Sequence, residues 1–206
     1  MPTFGLSNGL RTARSLCYGL GLCLLSILAH SAEVPDIRVR VEQRGERFIV
    51  DAQGELPVRP ETAWDVLTDF ERMPTIMNNL SESRIVSRSG NTLTLLQRGT
   101  ARYGVFSYQF DSVREIVLEP HQRILSRQTS GRAKSFASVA EIIPSKEGTT
   151  LRYHAEIEPD GKIARLFGRP FVQDEIDEQL TLMAGEMLRR EGKTMTRPNP
   201  ERAIEK

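Results

Sequence analysis

From residue 83 to residue 158 the chain reads as one strand-like run after another, and from Pro170 to Gly192 as one long helix. The runs cover 83–87, 92–98, 106–118, 123–129, 135–143 and 150–158, each rich in alternating apolar residues. The breaks between them carry turn chemistry: Ser89-Gly90-Asn91, Glu119-Pro120-His121-Gln122, Ser130-Gly131 and Pro144-Ser145-Lys146-Glu147-Gly148. Short regular connections of this kind imply an antiparallel meander. In the helix, Val172, Ile176, Leu180, Met183 and Met187 recur at spacings of four, four, three and four, which aligns them on one face. Acidic Asp174, Glu175, Asp177 and Glu178 fill its early turns, and Arg189, Arg190 and Gly192 close it.

Ahead of the meander, residues 37–41 and 48–50 alternate around a Gln43-Arg44-Gly45-Glu46 turn, a strand pair. At Pro60 the period changes to that of a helix, with Ala63, Val66, Leu67 and Phe70 as its apolar stripe. Pro74 interrupts it, and a short second helix is expected over 75–79. The whole predicts an α+β domain in which one long helix covers a curved antiparallel sheet. Strong curvature leaves a space between the helix and the concave face, the natural place for a site.

The N-terminus predicts export. Arg11 and Arg14 precede a fourteen-residue apolar stretch, 16–29, and Ala29-His30-Ser31 then offers small residues at cleavage spacing. A membrane span needs about 20 apolar residues, and Ser15, Gly19, Gly21 and Ser26 dilute this run. A lipid anchor at Cys23 is the weaker alternative, because Leu22 is larger than a lipoprotein cleavage site usually has. The expected organisation is a secretory signal over 1–32, one domain over 33–192 and a tail without structure over 193–206. The location is the periplasm if the source is a diderm bacterium. Cys17 and Cys23 both fall in the signal, so the mature chain would have neither thiol nor disulfide. The signal holds two of the 28 basic residues, which leaves 26 against 27 acidic ones. That balance gives no basic excess to grip nucleic acid through its phosphates.

The stretch VRPETAWDVLTDFERMPTIMNNL, residues 58–80, resembles the opening helices of the START/SRPBCC superfamily, in its polyketide cyclase/dehydrase and lipid-transport (coenzyme Q-binding-like) branch. Pro60-Glu61, Trp64, Val66-Leu67 and Asp69-Phe70 stand where that family has its pattern. The likeness continues through Phe106-Ser107 to Glu115-Ile116 and through the final helix, over roughly residues 37–192. It implies the helix-grip (START-like) fold, and sets the Ile176, Leu180, Met183, Met187 face against Leu95, Tyr108, Phe110 and Tyr153 around an apolar cavity. Family members include lipid carriers, quinone-binding proteins, cyclases and plain ligand binders. They share no single catalytic residue set, so none is carried over.

The residues themselves offer little catalytic chemistry. His121 sits in a Pro-containing turn and His154 in the polar phase of its strand, so both read as surface histidines. No cluster has metal-ligand spacing, and no nucleophile elbow, phosphate loop or dinucleotide fingerprint occurs. Neither a metal nor a cofactor is expected. Gly99 and Gly104 suggest a turn or bulge around 100–103. Asp69 reads as an organiser of its helix end. Tyr103, Tyr108 and Tyr153 could serve as polar handles in an apolar space, or as core aromatics. Three readings stand: a non-catalytic binder or carrier of a lipid, quinone or polyketide-like molecule; a cyclase or dehydratase using the same cavity; or a surface interaction module whose cavity has collapsed.

Overall fold

The computed structural model describes residues 31–33, 37–104, 106–160 and 168–196. Residues 1–30 of the expected signal and 197–206 of the expected tail lie outside them. The elements are β1 (Ser31–Glu33), β2 (Ile37–Arg44), β3 (Arg47–Leu56), α1 (Pro60–Leu67), a 3-10 turn at Phe70–Arg72, and α2 (Met73–Ile76). Then follow β4 (Leu80–Ser89), β5 (Thr92–Tyr103), β6 (Phe106–Glu119), β7 (Arg123–Gly131), β8 (Ser135–Ser145), β9 (Gly148–Glu158), α3 (Gly168–Arg190) and β10 (Thr194–Thr196).

Eight strands make one antiparallel sheet in the order β2-β3-β9-β8-β7-β6-β5-β4. The meander β4 to β9 is extended at β9 by the hairpin β2–β3. Alternation decides which side of each strand meets the core: in β3, Phe48, Val50, Ala52 and Leu56 are buried, while Arg47, Asp51, Gln53 and Glu55 are exposed. The long helix α3 lies on the concave side, against β2 and α1. This is the α+β architecture that the strand run and the long helix imply, and the helix-grip fold that the family resemblance implies.

The buried residues fall into unequal groups. The larger joins Leu56, Val58, Ala63, Val66, Leu93, Leu95, Ile116, Met187 and Leu188 across α1, the sheet and the end of α3. A smaller one, Val41, Phe48, Val50 and Ala155, meets Val172 and Ile176 near the start of α3. Gln173 fastens that start to the sheet: its Oε1 accepts from the Val41 N–H at 3.1 Å, and its Nε2 donates to the Val39 carbonyl at 2.9 Å.

Several local expectations are corrected. Pro74 does not interrupt a helix; it sits in the first turn of α2, where its missing N–H costs nothing. No turn forms after Gly99, because β5 runs on to Tyr103. Gly99 answers a steric demand instead: a Cβ there would stand 2.0 Å from the Asn79 carbonyl oxygen and 2.6 Å from Phe110. The Asn79 carbonyl also accepts from the Thr100 N–H at 2.8 Å. Within the expected tail, Thr194–Thr196 pair in parallel with Ser31–Glu33. Gly192, at φ +75°, turns the chain back there after α3.

The end of α3 is tied down by charge. Arg190 donates to Asp69 Oδ2 at 2.6 Å and to Glu186 at 2.7 Å, and Arg189 reaches Glu186 at 2.6 Å. Asp69 therefore locks the end of α1 to α3, in line with an organising role. Hydrogen bonds from Arg189, then from Arg190, outweigh burial and hold the Glu186 carboxyl down at about 2, from an ordinary 4.5. A depressed carboxyl stabilises the folded state above its unfolded value, and that stability is lost as the pH falls from about 4.5 towards about 2. Glu186→Gln should therefore lower the melting temperature at pH 7 by about 2–4 °C, as for loss of roughly 1 kcal/mol. The gap between variant and parent should close on acidification, which melts at a series of pH values will read.

Candidate functional site

Between α3 and the concave face lie two adjoining chambers, of about 300 and 270 Å³. The inner one is lined by Leu67, Phe70, Met73, Met77, Leu95, Ile116, Ile124, Leu180 and Met183, with Ser126, Ser138, Tyr153 and Gln179 as polar members. The outer one is lined by Phe48, Ala101, Tyr108, Ile157, Phe171 and Val172, with Asp111 and Gln128 near its rim. Asn79, Gln97, Phe110, Arg114, Phe136, Glu175 and Ile176 border both, and so form the neck between them. Together the chambers fall within the roughly 300–1,000 Å³ usual for small-molecule sites.

The fold draws most of the anticipated residues to this space. Leu95, Tyr153, Leu180 and Met183 border the inner chamber, Tyr108 the outer, and Phe110 and Ile176 both. Met187 borders neither. One helical turn beyond Met183, α1 closes over the sheet, and Met187 is wholly buried in the main core with Ala63 and Val66. The helix period continues the stripe, but the cavity stops short of it. His121 sits in its turn, at φ +60°, with its ring 5.3 Å from that of Trp64. His154 lies on the outer face with Nδ1 2.8 Å from Asp51 Oδ1. Neither borders the two chambers.

The charged residues of the neck are the ones that sequence reasoning passed over. Arg114 stands on β6 opposite Leu95 and Gln128. Its Nε is buried with no hydrogen-bond partner, and its guanidinium lies 5.2 Å from the centre of the Phe136 ring. Burial pushes its pKa down, opposed only by Tyr153. Stacking on an aromatic ring recovers about 0.5–2 kcal/mol, and the residue as a whole keeps partial exposure, so the rest of its guanidinium is open to the space it borders. Glu175 accepts hydrogen bonds from Asn79 Nδ2 and, at 3.1 Å, from Gln179 Nε2. Burial raises its carboxyl above the usual range, and the two amides only partly counter this. Burial likewise raises the Tyr153 phenol, against a hydrogen bond with Ser138 and the charge of Arg114.

Both omissions had a signal. Tyr108, Phe110, Ser112, Arg114, Ile116 and Leu118 share one phase of β6, so an inward Phe110 makes Arg114 inward too. Glu175 precedes Ile176 and stands four residues before buried Gln179, on a polar seam beside the apolar stripe.

Chemically, the arrangement is an apolar container with a polar waist. Among the described residues no group of three or more His, Cys, Asp or Glu could hold a metal ion, and no helix is long and apolar enough to cross a membrane. A curved sheet gripping a long helix around such a container defines a helix-grip protein of the START/SRPBCC superfamily. Within it, the chain belongs to the polyketide cyclase/dehydrase and lipid transport family, whose model matches residues 47–187. No curated protein matches the chain.

Solved structures agree on the fold. The protein TTHA0849 of Thermus thermophilus is 16% identical at a TM-score of 0.60, over 69% of this chain and 98% of its own. A STAR-related lipid transfer protein of Xanthomonas axonopodis is 12% identical at 0.59, over 77% of this chain and 96% of its own. The Zhui aromatase/cyclase of Streptomyces sp. R1128 is 13% identical at 0.55, over 75% and 95%. At these identities the likeness concerns the fold alone.

Proposed function

We propose that this protein binds and carries a hydrophobic small molecule, a lipid, quinone or polyketide-like compound, without transforming it. The observation that carries this reading is the pair of chambers, walled chiefly by Leu, Ile, Met and Phe side chains and sharing a border that carries Asn79, Gln97, Arg114 and Glu175. A solid core of the same residues would leave no such volume, since protein interiors pack to crystal-like density. The Xanthomonas neighbour in fold is a STAR-related lipid transfer protein, which favours the same reading. A carrier role is favoured over cyclisation by the fate of the candidate acid–base groups. Asp69 is committed to Arg190, and the one carboxyl at the neck, Glu175, is engaged by the amides of Asn79 and Gln179.

Purified full-length protein should bind the neutral apolar dye Nile red, and its solvent extract should contain a small hydrophobic compound by mass spectrometry. That compound should be recovered unchanged after prolonged incubation with fresh protein. No dye binding would overturn the carrier reading and favour a surface-acting module; conversion of the compound would establish an enzyme.

We further propose export, from the basic, short apolar and small-residue pattern of the leader. The protein recovered from its native cells should begin near Ala32 or Glu33. Intact Met1 in a soluble cytoplasmic pool would refute this.

A further inference from the structure

We propose that the cavity takes an anionic amphiphile, its carboxylate or phosphate head held by Arg114 at the neck and its apolar body in the inner chamber. The proposal deepens the carrier reading and rests on it. Arginine keeps its charge at any physiological pH, so Arg114 brings a permanent cation to the junction of two apolar chambers. Charges enclosed in this way are ordinarily paired. Arg190, itself largely covered, is paired with Asp69 and Glu186.

Arg114 differs. Among the described residues no carboxylate lies within ion-pair distance of it, and its buried Nε has no acceptor. Glu175 shares the neck but is engaged by the amides of Asn79 and Gln179.

Further groups suit the same ligand. Ser126 stands on β7 opposite Ile116, the next inward residue of β6 after Arg114. Its Oγ is buried without a partner and borders the inner chamber. An Arg fork beside a free hydroxyl offers several donors and matches the planar or tetrahedral oxygens of a carboxylate or phosphate. Beyond them, Leu95, Ile116, Leu180 and Met183 give an apolar body its lining. The ligand class thus follows from two halves that no single apolar or purely ionic molecule would satisfy.

The test compares probes that share a tail and differ in the head. Calorimetric titration of the full-length protein with dodecanoate, dodecyl phosphate and dodecanol should show at least one anion binding about 30-fold or more tightly than the alcohol. Which anion is preferred identifies the head group. Acetate and inorganic phosphate should not match the dodecyl anions, because they leave the apolar chamber unfilled. Arg114→Met should bring the preferred anion down to the level at which the same variant binds dodecanol.

Equal affinity for anion and alcohol in the parent protein would overturn the proposal, even if the variant failed to fold. So would an anion preference that survives in Arg114→Met, or acetate or phosphate binding as tightly as the dodecyl anions. Binding of Nile red and dodecanol without anion preference removes this inference and leaves the carrier reading intact. Binding of none of the probes removes both.

Discussion

Gly99→Val should destabilise the protein by about 3 kcal/mol or more, a fall of roughly 6–12 °C in melting temperature for a domain of this size. A Cβ at this position would stand 2.0 Å from the carbonyl oxygen of Asn79, which is backbone and cannot rotate away. Either β5 or the segment joining α2 to β4 must shift. Because the Asn79 side chain also donates to Glu175, the shift reaches the neck of the cavity. Weakened binding of Nile red should therefore accompany the lost stability. A variant that melts like its parent would mean that this close approach is not present in solution. Gly104→Ala serves as the control: its added Cβ would meet nothing within 4 Å, and only the left-handed backbone at φ +57° opposes it.

Met183→Trp should abolish Nile red binding, while the same change one turn later should not. Met183 borders the inner chamber, so the larger ring can occupy space that a ligand needs. Its melting temperature should stay close to that of the parent. Met187 is 0% exposed and borders neither chamber. A tryptophan there must overpack solid core at roughly 1–3 kcal/mol, or about 2–12 °C, with binding of the dye retained. Identical behaviour of the two variants would mean that the chambers do not exist as a separate volume. Titration and a thermal melt on each protein measure both quantities.

The architecture was legible because two periods dominate the chain. Alternation from Leu93 through Leu151 specifies strands, and the Val172 to Met187 spacing specifies a helix with one apolar side. What failed locally failed for physical reasons. Glycine marks either a turn or a crowded crossing, and sequence alone does not distinguish them; Gly99 belongs to the crossing. A proline can end one helix or start another, and only the backbone shows which; Pro74 starts α2. At the site, the helix period brings Ile176, Leu180 and Met183 to the chambers, and the family resemblance supplies Leu95, Tyr108, Phe110 and Tyr153; the stripe runs one turn too far, since a helix period carries no information on where a cavity ends. The neck escapes a search confined to apolar residues, because Arg114 and Glu175 are charged. Strand phase, applied to every residue and not to the apolar ones alone, turns Arg114 inward with Tyr108 and Phe110.

The amide of Gln173 has a significance beyond packing. The outer strand β2 has a sheet partner on one side only, and a row of unpaired backbone groups is a template for pairing with another molecule. Gln173 takes up one N–H and one C=O of that row, at Val41 and Val39. A foreign strand that sought to lengthen the sheet at β2 would first have to dislodge the helix that roofs the cavity. Protection against self-association and enclosure of the cargo space thus depend on the same few atoms.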